Sequence, residues 1–345
     1  MQSSELPRLD GVPRLVRPAD SDYVRDGALL RGGLAWDAGD TRRAATRLEA
    51  AKRAPGAPVS AWALHAWVVL GEAGPRAAES VAREGLTAFP FDPALRAVLA
   101  DALLGAASEV GGAGPDATAF RAVSERRTAG TDAEVLLEPL LDGAQAADPN
   151  VLRLGARAAL WCGDTESALH RLDRLALTGP LDADLVRLRA RTLEVAGRHA
   201  EALPLYEQLA EAGDADPLLL EEMAFATLAA ARATGEVPHF DRAAALLARV
   251  VELDPQHAEA WAGLAACAAA RGQQAEAVAA WRRVLELEPA YVQVGLALAD
   301  YLRMAGDEEA AEAVLDGLLL QPLQPAEAAL VRQALTVADP QEDAR

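Results

Sequence analysis

Four arginines recur in pairs at matching places in two successive stretches of the chain. Arg153 and Arg157 lie four residues apart, and Arg187 and Arg191 repeat that spacing 34 residues later. Residues four apart share one face of a helix, so each pair would present two guanidiniums side by side. A guanidinium can hold a carboxylate through two parallel hydrogen bonds, and Trp161 lies one helical turn beyond Arg157. Because arginine and tryptophan together are typical of protein interfaces, the spacing predicts a patch that binds carboxylates.

Nearby acids offer a plainer explanation for these arginines. Asp184 and Glu194 each lie three residues from one arginine of the second pair and could neutralise it. The first pair has no carboxylate within four residues along its helix. All four arginines could therefore pair with acids of neighbouring elements, or keep an otherwise apolar surface soluble, and exposed ion pairs of that kind contribute little stability. This explanation stays open beside the binding hypothesis.

The other reactive residue types form no catalytic or metal-binding motif. The sequence contains neither HExxH nor a phosphate-binding GxxxxGK[ST] motif. Cys162 and Cys267 lie in separate helical segments, which fits neither a disulfide framework nor a zinc site. The five histidines are dispersed, at positions 65, 170, 199, 239 and 257. We therefore expect no enzyme activity, no metal and no cofactor, and we expect His65 to be a core histidine.

The helices that would position the arginine patch follow from a 34-residue period, which is clearest between residues 258 and 291. In that stretch apolar residues three or four apart define one helix up to Gly272, and a second helix ends at Pro289. The inner faces of the two helices contain Trp261, Leu264, Ala265, Ala268, Ala277, Trp281 and Val284. A helix pair of this size cannot bury its apolar face alone, so the pattern must recur. Seven copies and one irregular copy can be placed along the chain.

This placement of large residues, small residues, turn glycine and terminal proline resembles the tetratricopeptide repeat family. The resemblance covers about residues 25–323. It implies an all-α, right-handed superhelical solenoid of antiparallel helix pairs, with about eight repeats plus a capping helix. It also implies that positions two, five, nine and twelve of each first helix line a concave groove. The partner-binding residues that the resemblance and the arginine spacing together select are Arg153, Arg157, Trp161, Arg187, Arg191, Trp36 and Trp67.

Three segments are expected along the chain. Residues 1–24 form an extended, proline-punctuated leader, residues 25–323 form the solenoid, and residues 324–345 form a capping helix with an acidic tail. Inside the solenoid, the glycine-rich stretch at about residues 108–131 predicts an insertion, a loop with a short extra helix. A helix from 132 to 147 should follow it. The sequence leaves open whether the leader occupies the groove.

Composition limits the partner and the compartment. The formal net charge is −19 and the pI is about 4.7, which argues against nucleic acid and against an acidic membrane surface as partners. Lys52 is the only lysine, so almost every cation is an arginine, as GC-rich codon usage would also produce. Because the two cysteines suggest no disulfide and no segment predicts a membrane span, we expect a cytoplasmic protein, of bacterial origin.

These observations predict a protein-interaction module, an adaptor or scaffold that holds an extended or helical partner segment in its groove. A carboxylate-bearing peptide is the favoured ligand. The alternative is a structural assembly factor that acts by self-association or through its convex face. A third hypothesis is the regulatory part of an enzyme whose catalytic chain is separate. The oligomeric state stays open.

Overall fold

In a computed structural model, residues 6–109, 117–212 and 217–336 are described, except for the side chains of residues 117–122. All regular structure in these ranges is helical, which confirms the all-α prediction. The chain divides into two compact units, residues 1–196 and 197–345. Because the predicted fifth repeat spans this division, the continuity of one array over residues 25–323 stays a prediction.

The described residues of the first unit form a short 3-10 helix, Arg14–Val16, and ten α-helices. They are α1 Asp20–Arg25, α2 Gly27–Asp37, α3 Thr41–Lys52, α4 Val59–Ala73, α5 Pro75–Ala88, α6 Pro93–Glu109, α7 Ala117–Leu141, α8 Pro149–Cys162, α9 Thr165–Ala176 and α10 Ala183–Val195. From α2 to α9, each helix packs against the next, so the unit is a stack of helix pairs.

The second unit repeats this arrangement, with eight helices in the part of it that the structure describes. They are α11 His199–Glu211, α12 Pro217–Thr234, α13 Val237–Leu253, α14 Ala258–Ala270, α15 Gln274–Leu287, α16 Val292–Met304, α17 Glu308–Leu319 and α18 Pro325–Thr336. The last helix packs on α16 and α17 and buries Val331 fully, as expected of a capping helix. The predicted acidic tail after residue 336 lies outside the described residues.

Local sequence signals fix where the helices begin and end. At the start of α8, the Asp148 carboxylate accepts hydrogen bonds from the backbone N–H groups of Asn150 and Val151, which satisfies two donors that a helix N-terminus leaves unpaired. Gly163 ends α8 with φ of 82°, a left-handed conformation that glycine adopts without steric cost. Asp164 then caps α9, so the two helices turn back on each other within two residues.

The predicted insertion at residues 108–131 is wrong over its described part, because residues 117–141 form one continuous helix, α7. We interpreted Gly130 as the end of a loop, whereas it lies buried inside α7 where this helix approaches α8. A Cβ atom on Gly130 would lie 2.9 Å from the Cβ of Trp161 and 3.0 Å from the Ala158 carbonyl oxygen. This glycine therefore permits close helix packing. Residues 110–116 of the insertion lie outside the described residues.

The far end of α7 also differs from the prediction of a helix from 132 to 147. The helix ends at Leu141, and residues 142–147 form bends and turns that include Gly143. The leader is likewise not extended throughout. It contains the 3-10 helix and most of α1. At the N-terminus of α1, the Asp22 carboxylate accepts a hydrogen bond from the backbone N–H of Ala19. This contact at the start of α1 is a short-range side-chain cap, which favours a helical turn over extended backbone.

In the described part of the chain, none of the helices combines the length and the apolar composition that crossing a bilayer requires.

The close approach of α7 to α8 gives a test with opposite expected signs. Gly130→Ala should destabilise the protein by about 1–3 kcal/mol, because the new methyl group meets backbone that cannot move aside easily. Gly71→Ala, on the exposed face of α4 with nothing within 4 Å, should stabilise by up to about 1 kcal/mol through helix propensity. Urea unfolding followed by circular dichroism measures both changes. Equal effects of the two variants would contradict the packing role of Gly130.

Candidate functional site

The structure brings the four predicted arginines together around one cleft. Arg153 and Arg157 project from α8, and Arg187 and Arg191 project from α10. Asp184 lines the same cleft, and the apolar side chains of Leu154, Leu185 and Leu188 complete its wall. The cavity has a volume of about 310 Å³. We call this feature the arginine cleft.

Arg157 is partly buried and lies against an aromatic ring. Its guanidinium carbon lies 5.4 Å from the ring centre of Trp161, which places the cation against the aromatic face. Two of its nitrogens, Nε and Nη2, are buried without a hydrogen-bond partner among the described residues. Burial lowers the pKa of Arg157; the Asp101 carboxylate opposes this shift and the neighbouring Arg153 adds to it. Arginine stays charged despite such a shift, so a partly desolvated cation lies beside the cleft.

Arg153 contacts an acid that the sequence spacing did not reveal. Its Nη2 atom lies 4.0 Å from Asp101 Oδ2 on α6, and the same nitrogen donates to Asn150 Oδ1 at 3.0 Å. The Asp101 contact at this distance is a weak ion pair between partly exposed groups. The expectation that acids of adjacent elements pair with these arginines is therefore correct for Arg153. Sequence spacing alone does not predict ion pairs between different helices, because they depend on how the helices pack.

The second arginine pair lies on α10. Arg187 is half-buried and Arg191 is exposed, and both also interact with other groups of the protein. Asp184 lines the cleft together with the four guanidiniums, and Asp101 lies beside Arg153, so acids of this chain already share the cleft with its cations. Arg189, whose place in the repeat is usually apolar, points away from this set and pairs with Asp173 of α9 at 2.7 Å.

Trp36 and Trp67 do not contribute to the arginine cleft. The two indoles pack edge to face with ring centres 4.9 Å apart. The Trp36 Nε1–H group donates to the Asp10 carbonyl oxygen at 3.1 Å, and both indoles pack against the apolar cluster that includes Leu9 and Val12. Leader residues 6–19, hereafter the leader segment, therefore already contact Trp36, and a role of either tryptophan in partner binding stays a prediction.

Sequence reasoning missed Asp37, the residue that holds the leader segment by its backbone. The Asp37 carboxylate accepts the N–H of Arg8 at 2.6 Å and the N–H of Leu9 at 2.8 Å. An aspartate at the end of a helix gives no sequence signal that it will bind backbone N–H groups 28 residues earlier in the chain. One signal in the sequence could have suggested this contact. The leader segment is rich in apolar residues, which favours its burial against a surface of the protein.

His65 is a buried core histidine, in line with the sequence prediction. Burial lowers its pKa to about 4, so its ring is neutral at neutral pH, with Nε2 3.4 Å from Glu49. The buried ammonium of Lys52 lies 3.1 Å from Glu49 and 2.9 Å from Glu84, over the ring of Trp62. This network joins α3 to α4 and α5. The described residues contain no group of histidine, cysteine and carboxylate ligands that could hold a metal.

His257 in the second unit has the opposite electrostatic setting. Its Nε2 atom lies 3.2 Å from Glu221 of α12 and its Nδ1 atom 3.3 Å from Glu259 of α14. The hydrogen bond to Glu259 raises the pKa of His257 most, and Glu221 adds to this effect, bringing it to about 9 despite partial burial. The charged ring cannot also accept the Ala260 N–H that lies 3.3 Å from Nδ1. Charged His257 therefore links the two helices.

Residues 154–217 and 228–291 match the family model described as tetratricopeptide repeat. The first match includes Arg157, Trp161, Arg187 and Arg191. No match is found among curated proteins.

Solved structures of other proteins are similar to this chain at low sequence identity and with TM-scores below 0.5. MamA 41-end from Desulfovibrio magneticus RS-1 is 16% identical, with 55% of this chain and 97% of that chain covered and a TM-score of 0.44. A tetratricopeptide repeat protein from Parabacteroides merdae ATCC 43184 is 12% identical, with 81% and 98% covered and a TM-score of 0.47. YrrB, described as having an unusual peptide-binding site, is 15% identical, with 62% and 95% covered and a TM-score of 0.41. Likeness at this level gives no indication of a shared partner.

The raised pKa of His257 predicts a pH-dependent stability. The unfolded histidine titrates near 6.5 and the folded one near 9, so its stabilisation is complete below pH 6.5 and is lost as the pH rises through 9. The loss should be at most about 3 kcal/mol. Urea unfolding at pH 6, 7.5 and 9 should show this decrease in the wild-type protein. His257→Gln should remove most of it, and an unchanged slope in that variant would contradict the assignment.

Proposed function

This chain is a tetratricopeptide-repeat protein, and we propose that it is a protein-interaction module whose arginine cleft holds a carboxylate-bearing segment of a partner protein. The observation that supports this proposal is the convergence of four guanidiniums from two neighbouring helices, α8 and α10, on one cleft with an apolar wall. The segment would offer acidic side chains or a free C-terminal carboxylate.

The chemistry of the cleft favours a carboxylate over other polar groups. Each guanidinium can donate two parallel hydrogen bonds, which matches the two oxygens of a carboxylate. Arg157 lies against the indole of Trp161 in a partly desolvated position, where charge attraction is stronger than in water. The apolar wall of Leu154, Leu185 and Leu188 would contact the carbon atoms of the ligand. A fully exposed ion pair would contribute only about 0–1 kcal/mol, so this desolvation matters for the affinity.

The size of the cleft limits what it can hold. Pockets for complete small-molecule ligands are typically about 300–1,000 Å³, and this cavity of about 310 Å³ lies at the lower end. It therefore suits one or two residues of a peptide rather than a large ligand. The remainder of a partner segment would extend over the neighbouring first helices. The arginine cleft would therefore anchor one end of a longer partner segment.

The net negative charge of the protein should restrict the binding of an anionic segment to the arginine cleft. With a net charge of −19, most of the surface repels an anionic segment, whereas the arginine cleft attracts it. Binding should therefore be confined to the cleft and should weaken as salt screens the attraction. We place the protein in the cytoplasm, a proposal supported by its two free cysteines. We propose no catalytic step for this cleft.

A binding experiment with matched peptides tests the proposal. Fluorescent peptides with Asp-rich and Asn-rich sequences of equal length, each with a free or amidated C-terminus, would be titrated against the full chain. Carboxylate-bearing peptides should bind at least ten-fold tighter than their amide counterparts, and raising the salt from 50 to 500 mM should weaken them by a similar factor. Fluorescence polarisation gives the dissociation constants.

Two double variants separate the cleft from general charge. Arg157→Gln with Arg191→Gln removes two cations while keeping good helix formers and avoids placing a new carboxylate beside Asp101. It should weaken the preferred peptide at least ten-fold. The control, Arg249→Gln with Arg282→Gln, makes the same charge change at exposed positions on α13 and α15 and should have little effect. Equal losses in both variants, or no preference for carboxylates, would reject the cleft as the binding site.

A further inference from the structure

The leader segment crosses the first helices of three successive pairs in the first unit. Pro7 packs against Gly33 of α2, where a Cβ atom would lie 2.7 Å from the proline ring. The 3-10 helix Arg14–Val16 contacts both α4 and α6. Leu15 packs against the apolar clusters of α4 and of α6 with α8. The surface that these helices present to the leader segment is hereafter the leader face.

The leader face recognises backbone rather than particular side chains at one end. The Asp37 carboxylate accepts two successive N–H groups, and Trp36 donates its indole N–H to the carbonyl of Asp10. Any residue except proline offers an N–H at these positions. These three hydrogen bonds therefore fix the position and direction of a segment without demanding a particular sequence.

Side-chain selectivity comes from three apolar positions. Leu9 is 2% exposed, Val12 is 2% exposed and Val16 is 1% exposed. Their spacing is three and then four residues, and the intervening residues Asp10, Gly11 and Arg14 are exposed. Burying an apolar side chain of this size removes its surface from water, which favours binding. The leader face thus selects apolar residues at positions i, i+3 and i+7.

The leader segment is an imperfect occupant of this face. Leu9 has φ of 52°, the only positive φ of a non-glycine residue in the described ranges, and a left-handed conformation strains the backbone of such a residue. Asp10 is an exposed acid in a segment whose other charges are arginines. A segment that adopted the same contacts with a relaxed backbone would bind the face more strongly than the leader segment does.

We propose that the leader face is a second peptide-binding surface. The chain's own leader segment occupies it as an intramolecular competitor of a partner segment. Its external occupant would be a partner segment of the same chemistry: apolar side chains at i, i+3 and i+7, and free backbone N–H groups at i−1 and i for Asp37. A tethered segment has an effective concentration in the millimolar range, so the partner segment must displace a strong internal competitor. This inference does not depend on ligand binding in the arginine cleft.

A synthetic peptide of residues 6–19, LPRLDGVPRLVRPA, tests the proposal as a fluorescent probe. In the full chain with Leu9→Asp and Val16→Asp, the leader segment should leave the face, since two buried apolar positions become charged. The probe should then bind at least ten-fold tighter than it binds the wild-type chain. Adding Asp37→Ala should weaken the probe again, and a probe with the same two aspartates should not bind.

Equal binding to wild type and variant would overturn the proposal, as would absence of binding to a variant that keeps its helical circular-dichroism spectrum. Hydrogen exchange on the wild-type chain provides a measurement that needs no variant. The amides of Arg8 and Leu9 should exchange at least 100-fold faster than buried amides of α4, because the leader segment opens alone. Equally slow exchange would show that it opens only with the unit and would reject displacement.

Two further outcomes distinguish other occupants. Dimers of the wild-type chain that form with rising concentration and vanish in the Leu9→Asp, Val16→Asp variant would identify the leader of a second copy as the occupant. That result would overturn the proposal that a segment of a partner protein occupies the leader face. The variant Arg157→Gln with Arg191→Gln should leave probe binding unchanged, so failure of the cleft proposal and failure of this one can be told apart.

Discussion

The helix pairs of this protein depend on one constraint, the close contact of apolar faces that no pair can bury by itself. The faces are made of alanine, leucine and glycine, so neighbouring helices approach until backbone atoms limit them, as Gly130 shows between α7 and α8. Every pair therefore needs a neighbour, and an exposed end needs a cover. In the second unit α18 provides that cover by burying Val331. In the first unit the leader segment buries further apolar surface against α2, α4 and α6.

The same constraint explains why binding chemistry can vary along the first unit. Packing uses one stripe of each first helix, and the adjacent stripe is left to interact with other groups. On α2 and α4 that stripe contains Trp36, which donates a hydrogen bond to the leader segment, and Trp67, which packs against Trp36. On α8 and α10 it contains the four arginines of the cleft. One scaffold thus presents an apolar surface and a cationic one without a change in its core.

Periodicity predicted most of the fold, because each repeat contains several independent signals: apolar spacing, a turn glycine and a terminal proline. It also placed the arginines on matching helix positions, and they do line one cleft. The errors arose where one residue type has two uses. The prediction places Gly130 at the end of an inserted loop, although this glycine serves close helix packing. Asp101 beside Arg153 and Asp37 beneath the leader segment were missed, since contacts between distant helices leave no local pattern.

The buried network of α3, α4 and α5 has a chemical consequence. Lys52 is the chain's only lysine, and in the folded first unit its ammonium lies between Glu49 and Glu84 with 7% of the residue exposed. Acylating reagents and conjugating enzymes need a free, accessible lysine amine. This chain offers them a lysine side chain only when these helices separate. Covalent labelling of Lys52 would therefore report on the opening of the first two repeats, with no competing lysine to obscure the signal.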